Sequence, residues 1–78
     1  MIGEIIKNMR LNAGLSQVKL AKRLNMADTT ISSYERENSQ PDFETINKIA
    51  KICGYKILFK DNKGNLLSVD TMAKEKDF

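Results

Sequence analysis

The chain has 78 residues, of which 41% are hydrophobic and 29% charged, with a formal net charge of +3. That is ordinary globular composition for one small domain with a thin core, not a disordered tract. There is no His and a single Cys, which excludes an internal disulfide, the usual zinc sites and the Ser-His-Asp and Cys-His nucleophile systems.

Ile2, Ile5, Ile6 and Met9 recur at helical spacing and predict an amphipathic helix over 2–12. Gly14 is a left-handed stop, and Leu15 is expected to fold back onto that helix. Ser16 caps a second helix over 17–24, with Leu20, Ala21 and Leu24 on one face. Lys19 stands where a capping box would place Glu. Two turns are not stable alone, so this helix must be held by packing. Asn25 takes its stop position. A third helix is predicted over 28–36, with Asp28 favourable at its start and Ile31, Tyr34 and Glu35 sharing a face. Ser39-Gln40-Pro41-Asp42 breaks the chain. Asp42 then caps a fourth helix over 43–53, whose stripe is Phe43, Ile46, Ile49, Ala50 and Cys53, closed by Gly54. Residues 55–60 are β-prone, 61–65 carry turn chemistry and 66–69 return as a second strand, which together predict a hairpin. The organisation expected is a helix-turn-helix domain over 1–54, a hairpin over 55–69 and a frayed polar tail over 70–78.

Charge is unevenly spread. Lys7, Arg10, Lys19, Lys22 and Arg23 oppose Glu4 alone in 1–27, a net +4. In 28–47, Arg36 faces Asp28, Glu35, Glu37, Asp42 and Glu44, a net −4. Lys48, Lys51, Lys56 and Lys60 give 48–60 a further +4. A phosphate-binding surface must therefore come from the basic blocks or from neutral donors in the acidic one. The informative unit is the pair of short helices joined by Asn25-Met26-Ala27. Packed through Leu20, Ala21, Leu24, Met26 and Ile31, they form a helix-turn-helix, with small Ala21 letting the backbones approach. The second helix then presents Asp28, Thr29, Thr30, Ser32, Ser33 and Arg36, a short hydrogen-bonding set suited to a major groove.

Three stretches carry a family resemblance: Leu15-Ser16-Gln17-Val18-Lys19-Leu20-Ala21, Ile31-Ser32-Ser33-Tyr34-Glu35-Arg36, and Pro41 before Phe43-Glu44-Thr45-Ile46. Over about residues 2–54 the chain resembles the Cro/CI-type (XRE, lambda-repressor-like) helix-turn-helix family. The resemblance implies a mainly α, four- to five-helix DNA-binding domain, here followed by a short C-terminal β-hairpin, and a sequence-specific, usually dimeric transcription regulator. It implies that Gln17 bonds a DNA phosphate and braces the recognition helix, with Ser16 beside it at the helix N-terminus. It places Asp28, Thr29 and Ser33 at base-reading positions, flanked by Thr30 and Ser32, and Arg36 and Asn38 along the phosphate backbone. It matches Arg10 and Glu35 to a structural ion pair.

Departures from the family pattern fall at Asn25 and Glu37, where Gly is usual, and at Ala27, where a Ser or Thr cap is usual. They suggest that Asn38 takes the left-handed stop one residue late and that Asp28 either caps the third helix or reads a base. The reading face has no Arg or long amide, so contacts through Thr and Ser lean on water and DNA shape.

The hairpin carries apolar weight on both faces, and a lone hairpin is marginal in water. Ile52, off the core stripe, and Ile57, Leu58 and Phe59 are the candidate dimer interface. A two-fold dimer sets two recognition helices on successive major grooves of a pseudopalindromic operator. The function expected is a homodimeric transcriptional repressor. The alternative is an antitoxin that binds a toxin protein and regulates its own operon. No apolar run reaches the ~18–20 residues of a membrane span and no signal-peptide pattern opens the chain. A cytoplasmic location is expected, with no membrane partner, no metal, no cofactor and no enzymatic activity.

Overall fold

The computed structural model describes residues 1–69, so the 70–78 tail expected above lies outside the described residues. Four helices, α1 (Ile2–Asn12), α2 (Gln17–Arg23), α3 (Asp28–Glu35) and α4 (Phe43–Ile52), precede two short strands, β1 (Leu58–Lys60) and β2 (Leu66–Ser68). The strands pair antiparallel, with Leu58 opposite Ser68, Phe59 opposite Leu67 and Lys60 opposite Leu66.

Two helices begin on side-chain caps. Ser16 Oγ accepts from the Lys19 N–H at 3.1 Å, and Asp42 Oδ1 from the Thr45 N–H at 2.8 Å. These bonds satisfy donors that the helix itself leaves open. Helix α3 begins differently. Its cap is Ala27, which has no capping side chain, and Asp28 is already helical and makes no capping bond. The expectation that Asp28 caps α3 is therefore corrected: the helix begins at Asp28 as predicted, and the cap position falls on Ala27.

All four helices end on one hydrogen-bond pattern. The first residue past the cap donates to the carbonyl three residues back, and the next donates to the carbonyl five back. The pairs are Gly14–Leu11 and Leu15–Arg10, Asn25–Lys22 and Met26–Ala21, Glu37–Tyr34 and Asn38–Ser33, and Gly54–Lys51 and Tyr55–Ala50, at 2.7–3.2 Å. This double closure needs a left-handed residue at the first position. Gly14, Asn25, Glu37 and Gly54 hold it, with φ of 72°, 55°, 60° and 85°. The expectation that Asn38 takes the stop after α3 is thus corrected. α3 ends at Glu35, one residue short of the predicted 36, so the left-handed position falls on Glu37. A side chain with Cβ is strained there, and Glu37→Gly is expected to raise stability by about 1 kcal/mol, read as a higher urea midpoint.

Each helix contributes one fully buried branched side chain: Ile6, Leu20, Ile31 and Ile49. Met9, Leu15, Ala21, Ala50 and Cys53 complete the core. Burial pushes the Cys53 thiol pKa up, against the pull of Arg10 and Arg23. Three stripe assignments change. Ile5 and Phe43, expected inside, are about half exposed, and Phe43 stacks on Phe59 with ring centroids 6.2 Å apart. Ile52, expected to lack an internal partner, packs against the core. The strands are shorter than predicted: Tyr55 and Lys56 run to the hairpin outside any strand, and Ile57 joins it through one bond, its carbonyl accepting from the Val69 N–H at 3.3 Å. The hairpin loop is built on Asp61, whose carboxylate accepts from the N–H groups of Lys63 and Asn65, both at 2.9 Å.

Candidate nucleic-acid interface

Helix α3 is eight residues long and cannot hold its own position. It is fixed from one side by Ile31 and from the other by a polar network. Arg10 Nε donates to Glu35 Oε2 at 2.6 Å and Arg10 Nη2 to Glu35 Oε1 at 3.0 Å, a bidentate pair. Arg10 Nη1 donates to the Leu15 carbonyl at 3.0 Å. Gln17 Nε2 donates to Glu35 Oε1 at 2.9 Å. One carboxylate at the end of α3 thus receives α1 through Arg10 and α2 through Gln17. Both ion-pair side chains are nearly buried, 9% and 4% exposed. Burial pushes the Glu35 carboxyl up. Hydrogen bonds from Arg10 and Gln17, with the charges of Arg10 and Lys7, outweigh it and hold the group below the usual carboxylate range. The Glu35 hydrogen bond in turn raises the Arg10 guanidinium above its ordinary value.

The network leaves the opposite face of α3 open. Asp28 and Thr29 are exposed at its start, and Thr30, Ser32 and Ser33 are half-buried along it. Ser33 Oγ shares a hydrogen bond with Ser39 Oγ at 2.8 Å, so this side chain also pins the loop after α3. Arg36 and Asn38 are exposed on that loop. Ser16 and Gln17 stand together at the start of α2, and Ser16 Oγ accepts from its own helix while its hydroxyl hydrogen stays free to donate outward. The second Nε2 hydrogen of Gln17 is likewise not taken by Glu35.

The dimer candidates are not gathered in one place. Ile57, Leu58 and Phe59 line a groove with α1 and α4, whereas Ile52 lines a separate cleft with Arg23, Leu24 and Lys48.

Three further contacts join elements distant in the chain. Asn12 Nδ2 donates to the Tyr55 hydroxyl at 2.8 Å, joining the end of α1 to the chain after α4. The Met1 amine pairs with the exposed Glu37 carboxylate. Gly3 is buried directly on the end of α3, where an added Cβ would lie 2.6 Å from the Tyr34 carbonyl oxygen and 2.7 Å from that of Glu35. A glycine inside an otherwise helix-forming run was the signal for this last contact.

A family model described as Helix-turn-helix matches residues 6–59. The chain is 29% identical over 97% of its length to the HTH-type transcriptional regulator ImmR of Bacillus subtilis, of which it covers 55%. It is 29% identical over 85% of its length to the cryptic phage CTXphi transcriptional repressor RstR of Vibrio cholerae, covering 61% of that protein. It is 33% identical over 77% of its length to an endothelial differentiation-related factor 1 homolog of Danio rerio, covering 41%. The chain thus spans roughly half the length of these relatives. No solved structure matches it with comparable significance. The matched span contains all four buried helix residues, the Arg10–Glu35–Gln17 network and the exposed face of α3, and the chain belongs to the Cro/CI-type helix-turn-helix family.

Proposed function

We propose that the chain is a sequence-specific double-stranded DNA-binding transcriptional regulator, a cytoplasmic repressor acting as a homodimer on a pseudopalindromic operator. The observation that carries this reading is the bracing of α3. A bidentate ion pair and an amide hydrogen bond hold its buried end, while its start presents Asp28 and Thr29 to solvent. A single α-helix fits the major groove, where short hydroxyl side chains reach base edges and thymine methyls. Ser16 and Gln17 have donors left over for a phosphate beside that groove, and Arg36 and Asn38 are exposed farther along the loop. Asp28, freed from capping, is available to accept from a cytosine amino group. The names of ImmR and RstR, a regulator and a repressor, agree with it. No helix among the described residues is long and apolar enough to cross a membrane.

The test is a mobility-shift titration against DNA selected from a random pool at fixed salt. Gln17→Ala and Thr29→Ala are each expected to weaken binding about tenfold while helical circular dichroism is kept. Gln17→Ala removes a phosphate contact, so its loss is expected to be similar on every bound sequence. Thr29→Ala is expected to relax preference at one position. Unchanged affinity in both variants overturns the site assignment.

A further inference from the structure

Helix α3 carries hydroxyls at Thr29, Thr30, Ser32 and Ser33. A hydroxyl that rotates freely both donates and accepts, so it fits an amino and a keto base edge alike. Among the described residues, Ser33 is the one of these four whose side chain bonds another: its Oγ lies 2.8 Å from Ser39 Oγ. Inside a helix a serine commonly turns its hydrogen back onto the carbonyl one turn earlier. Here the partner is instead a loop residue six positions on.

The path of the chain puts Ser39 there. Left-handed Glu37, at φ 60°, turns the backbone so that the Asn38 N–H bonds the Ser33 carbonyl at 2.9 Å. The next residue is Ser39, which this turn brings to the Ser33 side chain. Two residues further on Pro41 is buried and restricts Gln40, so the loop is anchored on its far side as well. Ser39 itself is exposed, on the loop that carries Arg36 and Asn38.

We propose that Ser39 is a positioning residue for base recognition, setting the Ser33 hydroxyl as an acceptor toward the DNA. This rests on the DNA-binding reading above and gives one of its contacts a direction. Phosphate oxygens accept hydrogens and have none to give, so Ser39, on a loop beside the DNA backbone, donates its hydrogen to a phosphate. Its oxygen then accepts the Ser33 hydrogen, because the pair shares one bond and either hydroxyl can donate it. Ser33 is left with lone pairs alone for the groove. The major-groove donors are the amino groups of adenine and cytosine, whereas guanine and thymine present acceptors. The relay from Ser33 through Ser39 to a phosphate thus selects an amino base over a keto base at one position. A freely rotating serine does not make that distinction.

The test uses the full chain in selection of bound DNA from a random pool at fixed salt, then titration of the best site and its single-base variants. Ser33→Ala locates the position that Ser33 reads. There the wild type is expected to favour adenine or cytosine over guanine or thymine by about fivefold, the worth of one hydrogen bond. Ser39→Ala frees the Ser33 hydrogen, and the ratio is expected to fall to about one at that position and to hold at the others. Ser39→Thr keeps a hydroxyl and is expected to keep the ratio. The double variant Ser33→Ala, Ser39→Ala is expected to match Ser33→Ala in that ratio, since Ser39 acts through Ser33. A change in folding stability alone moves the affinity for every sequence together and leaves the ratio untouched. A Ser39→Ala chain that keeps the ratio overturns the proposal, and a uniform loss of affinity in it makes Ser39 a phosphate contact only. A wild-type preference for guanine or thymine at the Ser33 position also overturns the relay. A wild type that enriches no sequence overturns the sequence-specific reading itself, and the relay with it.

Discussion

Replacing Arg10 by Ala is expected to cost about 3–5 kcal/mol of folding stability, because it strands the Glu35 carboxylate almost fully buried with Gln17 as its remaining donor. A domain of this size has about twice that in total, so the variant should melt at a much lower urea concentration and be partly unfolded near body temperature. The cost belongs to the broken pair, not to the charges as such. Arg10→Met combined with Glu35→Leu removes both charges at similar volume and is expected to recover most of the loss. An Arg10→Ala chain with the parent urea midpoint would show that the pair contributes nothing. The same pair sets an acid limit. Glu35 is held below its ordinary value, so its contribution is full above the unfolded carboxylate pKa and is lost as pH falls through the lowered folded value. Asp42 and Asp61 are also held low, by hydrogen bonds from Thr45 and Asn65 respectively, and act in the same direction. The part due to Glu35 is the difference between the parent and the double variant in stability measured against pH. Arg10 adds no window of its own, since its pKa is raised from an already high value.

What the sequence disclosed, and what it hid, divides along one physical line. Caps and stripes are local: Ser16 and Asp42 each bond an N–H three residues on, and Ile6, Leu20, Ile31 and Ile49 sit on helical spacings, so four helices and their core were legible. The failures needed a neighbour to be seen. Ile5 and Phe43 are in register with their stripes, but the surface they meet is the hairpin, which covers them only in part. Intrinsic preference points to Asn38 for the left-handed stop. The position is fixed instead by where the closing bonds to Ser33 and Tyr34 fall, and that is Glu37. Asp28 does not cap because it is the first helical residue, which leaves the cap position to Ala27. At the interface, the residue types on α3 could be read directly. That Ser33 also holds Ser39, and that Glu35 ties three helices together through two side chains, required the tertiary structure.

Gly3→Ala tests the contact that was least visible in the sequence. In an isolated helix this change is favourable by up to about 1 kcal/mol, since Ala restricts the unfolded chain and suits the helix interior. Here the new Cβ would lie 2.6 Å from the Tyr34 carbonyl oxygen and 2.7 Å from the Glu35 carbonyl oxygen and from Glu37 Cγ. The first two are backbone atoms of the end of α3 and cannot turn aside as a side chain can. Helix α1 must therefore move off α3, and the net effect is expected to be destabilising by about 1–3 kcal/mol despite the propensity gain. The movement also bears on the site. Arg10 lies on the same helix, and its bidentate bonds to Glu35 at 2.6 and 3.0 Å tolerate little shift. The variant should thus lower both the urea midpoint and the affinity for selected DNA. Glu4→Ala, an exposed change one residue along, should alter neither appreciably. A second substitution separates the causes. Glu37→Gly removes the Cγ that meets the new methyl but leaves both carbonyls in place, so Gly3→Ala should remain destabilising in the Glu37→Gly background. Full relief there would mean that the side chain of Glu37, and not the close backbone packing of α1 on α3, is what requires glycine at position 3.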